Sequence, residues 1–333
     1  METRTIKITY RNPIRLIKSS LGIIFYKNGV YPYNKTIYHS LKRFTCRMLL
    51  LAAKKTGFAG HGIMEIAYKN QSTKKTLQFD SKNSQYHSIY MPYNQSGYEL
   101  ETTMLLDYFI QLNPNLTFFD IGANWGHMSL FVLSNANFDG KVFAFEPYLS
   151  SYNDLKLIST ITETNNFFPQ NIALSDKEEN VVFHHTNTIH SGIISVSSSN
   201  NTDTDQYNAM SIDLFCKKNN TKPDLLKIDV EGFELNVLKG AVDILKEKQP
   251  FILMESNSTD TNCLPVLSFL EEMRYQIYYP RLLENATNKL IEQGAYHNID
   301  FSKKELCLTP INAQNRNLFQ EHLNLVCFPK NFE

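Results

Sequence analysis

The first residues able to do chemistry are the seven from Asp120 to Gly126, Asp-Ile-Gly-Ala-Asn-Trp-Gly. A glycine-rich turn lets backbone approach a ligand closely, and the helix that follows offers free N–H groups at its start. Gly122 and Gly126 suit the sharp turn and the close approach, and Asn124 adds a short polar side chain. The spacing is Asp-x-Gly-x-x-x-Gly, not the Gly-x-Gly-x-x-Gly of dinucleotide sites. An acid at the head of such a loop suits a ligand with an ammonium group and no pyrophosphate. Glu146 follows Gly126 by about twenty residues, the distance at which an acid can accept both hydroxyls of a ribose. The plainer reading of Glu146 is a solvated acid before Pro147.

A second group lies in Leu226-Lys227-Ile228-Asp229-Val230-Glu231-Gly232-Phe233-Glu234. Lys227 and Asp229 alternate with Ile228 and so share one face of a strand. Charges on an otherwise buried strand are costly unless paired or functional. Asp229 and Glu231, at the strand's carboxyl end, are the candidates for proton transfer. His127, at the mouth of the glycine loop, is a third choice and equally a helix-surface residue. Glu231 and Glu234 also read as first-turn helix acids stabilised by the macrodipole.

Placing these residues requires strands that end where they stand. From Thr117 onward, short apolar runs alternate with helical patterns. Strands are expected at Thr117–Ile121, Lys141–Phe145, Phe167–Leu174, Leu225–Val230, Phe251–Glu255, Tyr275–Tyr279 and Leu323–Phe328. Helices are expected at Glu99–Gln111, His127–Asn135, Ser150–Ser159, Phe233–Lys248 and Leu264–Met273. That alternation predicts an α/β fold, a mostly parallel seven-stranded sheet with helices on both faces. Ligands of such sheets bind beyond the carboxyl ends of the strands, where the chain order reverses. An extra strand is expected at Val181–His184, before a polar loop around Ser195–Asp205. Upstream, Ile63–Tyr68, Thr76–Phe79 and Ser88–Met91 read as short strands. Ile37, Leu41, Phe44, Met48 and Leu51 recur at helical spacing among lysines and arginines, a cationic amphipathic helix.

Taken together, the chain from Gly97 to Phe328 resembles the FkbM family of S-adenosyl-L-methionine-dependent methyltransferases. The resemblance rests on Gly97-Tyr98-Glu99, Asp120–Gly126, Ala144-Phe-Glu-Pro147, Asn171–Asp176, Ser211-Ile-Asp213, Lys227–Gly232 and Leu238–Ala241, in the family's order and spacing. It implies a Rossmann-like class I methyltransferase domain over residues 97–333, with an N-terminal α+β extension at 1–96. It further implies methyl transfer from S-adenosyl-L-methionine to a hydroxyl, with sugars and small molecules among the acceptors. Asp120, Gly122, Asn124 and Gly126 would form the cofactor loop, and Glu146 would hold the ribose. Ala173 and Leu174 would run beside the adenine, and Glu99 would face the methionine end. Related small-molecule O-methyltransferases place a magnesium (Mg2+) ligand at the position of Asp229, which makes Asp229 and Glu255 candidate metal ligands, with Asn257 beside them. Those enzymes carry a different acid pattern after the fifth strand.

Composition limits the alternatives. The chain of 333 residues has a formal net charge of +0, which gives no argument for nucleic acid. The Asn-Pro-Pro-Tyr type of tetrapeptide expected for methylation of base amino groups is missing after the fourth strand. The glycine spacing disfavours a dehydrogenase, and intact acids at Asp229 and Glu231 disfavour a scaffold that merely keeps the fold. The zero balance conceals an asymmetry: residues 1–60 hold twelve basic side chains and one acid, leaving 21 basic and 32 acidic residues for the rest. Such a basic head can pair with the acidic body, in the same chain or in a homodimer, or dock on an anionic membrane. The five cysteines are scattered without CxxC spacing. With no signal-like run and no membrane span, a cytoplasmic location is expected, with the inner membrane face as a peripheral site.

Overall fold

The computed structural model describes residues 98–162, 164–184, 204–284, 289–291 and 304–332, together with Met48 and strand segments at 4–8, 14–19, 61–68 and 71–78. In chain order the strands are β1 (Arg4–Ile8), β2 (Ile14–Ser19), β3 (His61–Tyr68), β4 (Gln71–Gln78), β5 (Thr117–Ile121), β6 (Lys141–Phe145), β7 (Phe167–Gln170) and β8 (Ala173–Leu174). They continue as β9 (Glu179–His184), β10 (Thr204–Met210), β11 (Leu225–Ile228), β12 (Phe251–Asn257), β13 (Tyr275–Glu284), β14 (Lys289–Ile291), β15 (Lys304–Ile311) and β16 (His322–Pro329). The helices are α1 (Leu100–Leu112), α2 (His127–Ser134), α3 (Leu149–Thr162), α4 (Ile212–Asn219), α5 (Glu234–Lys239), α6 (Val242–Glu247) and α7 (Cys263–Glu272).

Seven strands form the expected core, in the order β7-β6-β5-β11-β12-β16-β13. The five from β7 to β12 are parallel, and β16 is antiparallel to both β12 and β13. The sheet is larger than expected, because β15 and then β1 extend the β13 edge and β14 pairs with β13, giving ten strands. Chain order reverses between β5, whose next strand lies on one side, and β11 on the other. A crevice opens at the carboxyl ends of such a pair.

Alternation along each strand sorts side chains between two apolar cores. On β5, Phe118 enters one core, while Phe119 and Ile121 enter the other. On β11, Leu225 goes with Phe118, and Leu226 and Ile228 go with Phe119. The same alternation puts Asp120 and Lys227 on the Phe118 face, and the two residues are in register across the β5–β11 pair. That core also contains residues of α1 and α2. All eight residues of α2 are buried, so it is a core helix rather than a surface one.

Three expectations change. The apolar run Phe167–Leu174 is two strands: β7 stays in the main sheet, and β8 joins a smaller sheet ordered β8-β10-β9. The break falls at Asn171, whose amide donates to the carbonyls of Glu146 and Pro147, 2.9 and 2.8 Å away. The long helix expected over Phe233–Lys248 is divided into α5 and α6 at Gly240. Asp213 holds the second piece in place, its carboxylate accepting the N–H groups of Asp243 and Ile244 at 3.0 Å each. The strand expected at Tyr275–Tyr279 runs on to Glu284 and pairs with both β15 and β16. Near the N-terminus, β2, β3 and β4 form an antiparallel sheet, and β3 contains the expected Ile63–Tyr68 run. The strand at Ser88–Met91, the polar loop around Ser195 and, apart from Met48, the amphipathic helix at Ile37–Leu51 lie outside the described residues.

Candidate active site

The loop after β5 is built by its backbone. The N–H groups of Gly122 and Ala123 both donate to the Phe145 carbonyl, at 3.1 and 3.0 Å, tying the loop to the end of β6. Gly122 has φ +76, and a Cβ there would overlap the carbonyl oxygen of Asp229. Gly126 has φ +92, and a Cβ there would meet Leu155 and Ile158 of α3. Gly122 is therefore required by conformation and by space, and Gly126 by its left-handed conformation. Asn124 is also left-handed, at φ 52.

Asp120 is fully buried beneath this loop. Its Oδ2 accepts the Ser129 hydroxyl at 2.6 Å and the Ser129 N–H at 3.1 Å, while its Oδ1 has no partner. Burial raises its pKa, against the opposing charge of Lys227 and the Ser129 bonds. Glu146 is buried too, so it is not the solvated acid of the plainer reading. Its two carboxylate oxygens accept the N–H groups of Asn124 and Tyr148, each at 2.8 Å. A carboxylate oxygen has two lone-pair sites, so each oxygen keeps one acceptor position for a ligand hydroxyl. Burial lifts the Glu146 pKa to about 7 despite those two bonds.

The carboxyl end of β11 supplies the second wall. Lys227, which the sequence marked only by its place on an apolar strand, proves to be the central cation. Its side chain is 5% exposed, and its Nζ lies 2.8 Å from Asp229 Oδ2. Burial pulls the lysine pKa down, but Asp229, Asp120 and Glu99 outweigh it and the net direction is up. Glu231 is exposed at φ 52. The protein mass beside it, then the charges of Asp229 and Glu234, bring its pKa to about 7. Glu234 has a local role, its Oε1 accepting the N–H groups of Gly232 and Val230 at 3.1 and 3.3 Å.

Three further residues join this group from other elements. Glu99 precedes α1 in a left-handed conformation, φ 46. Burial raises its pKa to about 6, opposed by Lys227. Glu255 on β12 sits within the field of Asp229, Glu99 and Glu231; burial first, then those charges, raise its pKa to about 8. His127 is buried, which corrects its alternative reading as a helix-surface residue. Its ring packs edge-on against Tyr98 at 5.4 Å, and its Nδ1 has no partner. Burial, then the charge of Lys227, depress its pKa to about 4, so the ring is neutral at ordinary pH.

Ala173 and Leu174 are buried on β8, and Ala173 packs with Tyr148 and Tyr207, next to the segment that Glu146 holds. Magnesium finds no assembled ligand set: among the described residues no group of three or more His, Cys, Asp or Glu side chains is arranged to hold a metal. Asp229 already faces the Lys227 ammonium, and Asn257 Oδ1 accepts from Thr259. The ligand pair Asp229 and Glu255 is thus not supported, and no step is assigned to a metal. Among the described residues no helix is long and apolar enough to cross a membrane.

The methyltransferase FkbM domain profile matches residues 120–277, which span the glycine loop, Glu146 and the Asp229 region. A methyltransferase FkbM from Methylobacillus flagellatus KT is similar over 59% of this chain and 44% of its own, at 19% identity and a TM-score of 0.37. The chain thus spans less than half the length of that relative. A SAM-dependent methyltransferase from Agrobacterium tumefaciens aligns with 82% of this chain and 71% of its own, at 8% identity and a TM-score of 0.43. A precorrin-6y C5,15-methyltransferase from Geobacter metallireducens GS-15 aligns with 68% of this chain and 88% of its own, at 11% identity and a TM-score of 0.36. Comparison with curated proteins returned no match.

Proposed function

We propose that this chain, whose residues 120–277 match the methyltransferase FkbM domain profile on a Rossmann-like sheet, is an O-methyltransferase using S-adenosyl-L-methionine on a hydroxyl of a sugar or similar small acceptor. The observation that carries this reading is Glu146. It is a buried carboxylate that fixes the glycine loop through Asn124 and keeps acceptor positions free for a diol. When bound, S-adenosyl-L-methionine supplies an electrophilic methyl group on a sulfonium.

The chain's own residues then have distinct tasks. Glu146 takes the ribose hydroxyls. Asp120 and Glu99 present negative charge toward the ammonium of the methionine end, and Asn124 with the two glycines shapes the loop. Ala173 and Leu174 line the adenine side. Asp229 is the first candidate to accept the proton of the acceptor hydroxyl, with Glu231 behind it. His127, neutral and buried, flanks the loop. Alignment of the two reacting atoms and exclusion of water supply most of the rate gain.

Two measurements test the reading together. Isothermal titration should show S-adenosyl-L-methionine binding to the full chain. A screen of neutral sugars and polyols with methyl-labelled cofactor should then yield a labelled ether. Binding without transfer to any hydroxyl would favour a fold-retaining binding protein, and absence of binding would overturn the proposal.

For the basic residues 1–60 we propose pairing with the acidic body, within the chain or across a homodimer. The argument is the charge split itself, twelve basic side chains and one acid in residues 1–60 against 21 basic and 32 acidic residues in the rest. Co-sedimentation of the full chain with phosphatidylserine vesicles should not exceed that with neutral ones. A clear excess would favour membrane docking instead.

A further inference from the structure

Lys227 is a buried ammonium that the methyl-transfer reading leaves without a task. Three carboxylates from three elements act on its charge: Asp229 on its own segment, Asp120 in register on β5, and Glu99 at the start of α1. Its direct contact is with one of them, Asp229 Oδ2 at 2.8 Å, and both side chains of that pair are largely shielded from water. A flexible carboxylate at a strand end samples several rotamers, whereas one gripped by a buried cation is held in one. The grip is anchored, because Lys227 itself sits on a strand whose neighbours on both sides are fully paired. The Asp229 backbone is fixed as well, its N–H donating to the Ile121 carbonyl at 3.0 Å and its own carbonyl lying against Gly122.

We propose that Lys227 is a positioning residue, which holds the Asp229 carboxylate in one orientation beside the donor loop and leaves its second oxygen to meet the acceptor hydroxyl. The proposal rests on the reading of Asp229 as the proton acceptor. Lys227 touches neither substrate in this scheme and acts through Asp229. It also explains why a charge is retained on a strand whose other residues, Leu225, Leu226 and Ile228, are fully buried and apolar.

Lys227→Met, Asp229→Asn and the double variant form a cycle on the full chain. With the acceptor found by screening, each single change should lower kcat by roughly 100-fold or more. The KM for S-adenosyl-L-methionine should stay within about threefold, and the double variant should be no worse than either single one. Additive losses, or a Lys227→Met enzyme with normal kcat, overturn the proposal. Normal kcat in Asp229→Asn overturns the underlying assignment of the base as well, so the two failures are told apart.

A second readout needs no acceptor and no cofactor. In carboxyl 13C spectra of aspartate-labelled full chain, the Asp229 signal is identified by its loss in Asp229→Asn. It should move in Lys227→Met and return toward the wild-type position in Lys227→Arg, which also serves where the methionine variant folds poorly. An Asp229 signal indifferent to both substitutions overturns the proposal.

Discussion

The backbone carbonyl of Asp229 lies against the Cα of Gly122, so the glycine loop and the acid-bearing segment after β11 meet at a residue that has no side chain. Any Cβ at 122 must push these two walls apart, and the backbone there is already left-handed at φ 76. Gly122→Ala should weaken S-adenosyl-L-methionine binding at least about tenfold and lower stability by about 1–3 kcal/mol. Titration calorimetry and thermal unfolding check both; wild-type affinity in a folded Gly122→Ala protein would show that the loop does not form the donor site.

In the proposed site, Glu146 serves the loop and the ligand at once. In Glu146→Gln one carboxylate oxygen becomes an amide donor, which faces the N–H of either Asn124 or Tyr148. Affinity for the cofactor should fall by roughly ten- to a hundredfold, given about 1–3 kcal/mol for a buried polar group left unmatched. The cofactor carries a positive sulfonium, so wild-type affinity should rise as pH climbs through about 7, where Glu146 ionises. Affinity that is flat or falling across that range, measured by titration at several pH values, counts against the assignment.

Stability without ligand should follow the opposite trend. An acid whose folded pKa is raised holds its proton more tightly when folded, so stability falls as pH rises from the unfolded to the folded value. Glu146 and Glu231 reach about 7 and Glu255 about 8. His127 opposes them at lower pH: depressed to about 4 from 6.5, it makes stability rise with pH inside that interval. Above 6.5 the acids act alone, and the partial exposure of Glu231 and Glu255 reduces their share. The Tm of the unliganded chain should therefore drop by a few degrees between pH 6.5 and 8, and Glu146→Gln should flatten the slope. Scanning calorimetry that finds a rising Tm there contradicts the raised pKa values of these acids.

Asp229→Asn removes the proposed proton acceptor while keeping the side chain's shape. Turnover should fall by about 10²–10⁴ with cofactor affinity nearly unchanged, as measured by single-turnover transfer of labelled methyl. Intact turnover shifts the role to Glu231.

Arg316 tests the frame rather than the chemistry. Fully buried, it donates to the carbonyls of Ser256, Gln320 and Glu321, at 2.7, 2.7 and 2.6 Å, and to the Ser256 hydroxyl at 2.9 Å. These bonds tie the turn before β16 to the carboxyl end of β12. Arg316→Leu removes these four bonds from a buried site and should cost about 2–4 kcal/mol in urea unfolding. A loss under about 0.5 kcal/mol, the range of a surface change, would refute this anchoring role.

Local pattern alone determined much of this protein. The runs at Thr117–Ile121 and Lys141–Phe145 become β5 and β6 with the same bounds, because short β-branched and aromatic stretches closed by glycine or proline have few other ways to fold. The sharp turn at Gly122 and Gly126 was equally legible, since it depends on spacing within one short run, whereas the bond from the Asn124 N–H to Glu146 was not. What tertiary structure decided was every relation across the sheet. Lys227 reads locally as an odd charge on an apolar strand, and only its register with Asp120 and its ion pair with Asp229 set it among the acids of the candidate site. His127 looks like any polar residue at a helix start until α2 is packed out of water on all sides. The break after Gln170 and the three strands added to the β13 side follow from pairings with distant segments. Hydrogen bonds of that kind join residues far apart in sequence, and periodicity within a run carries no information about its partner.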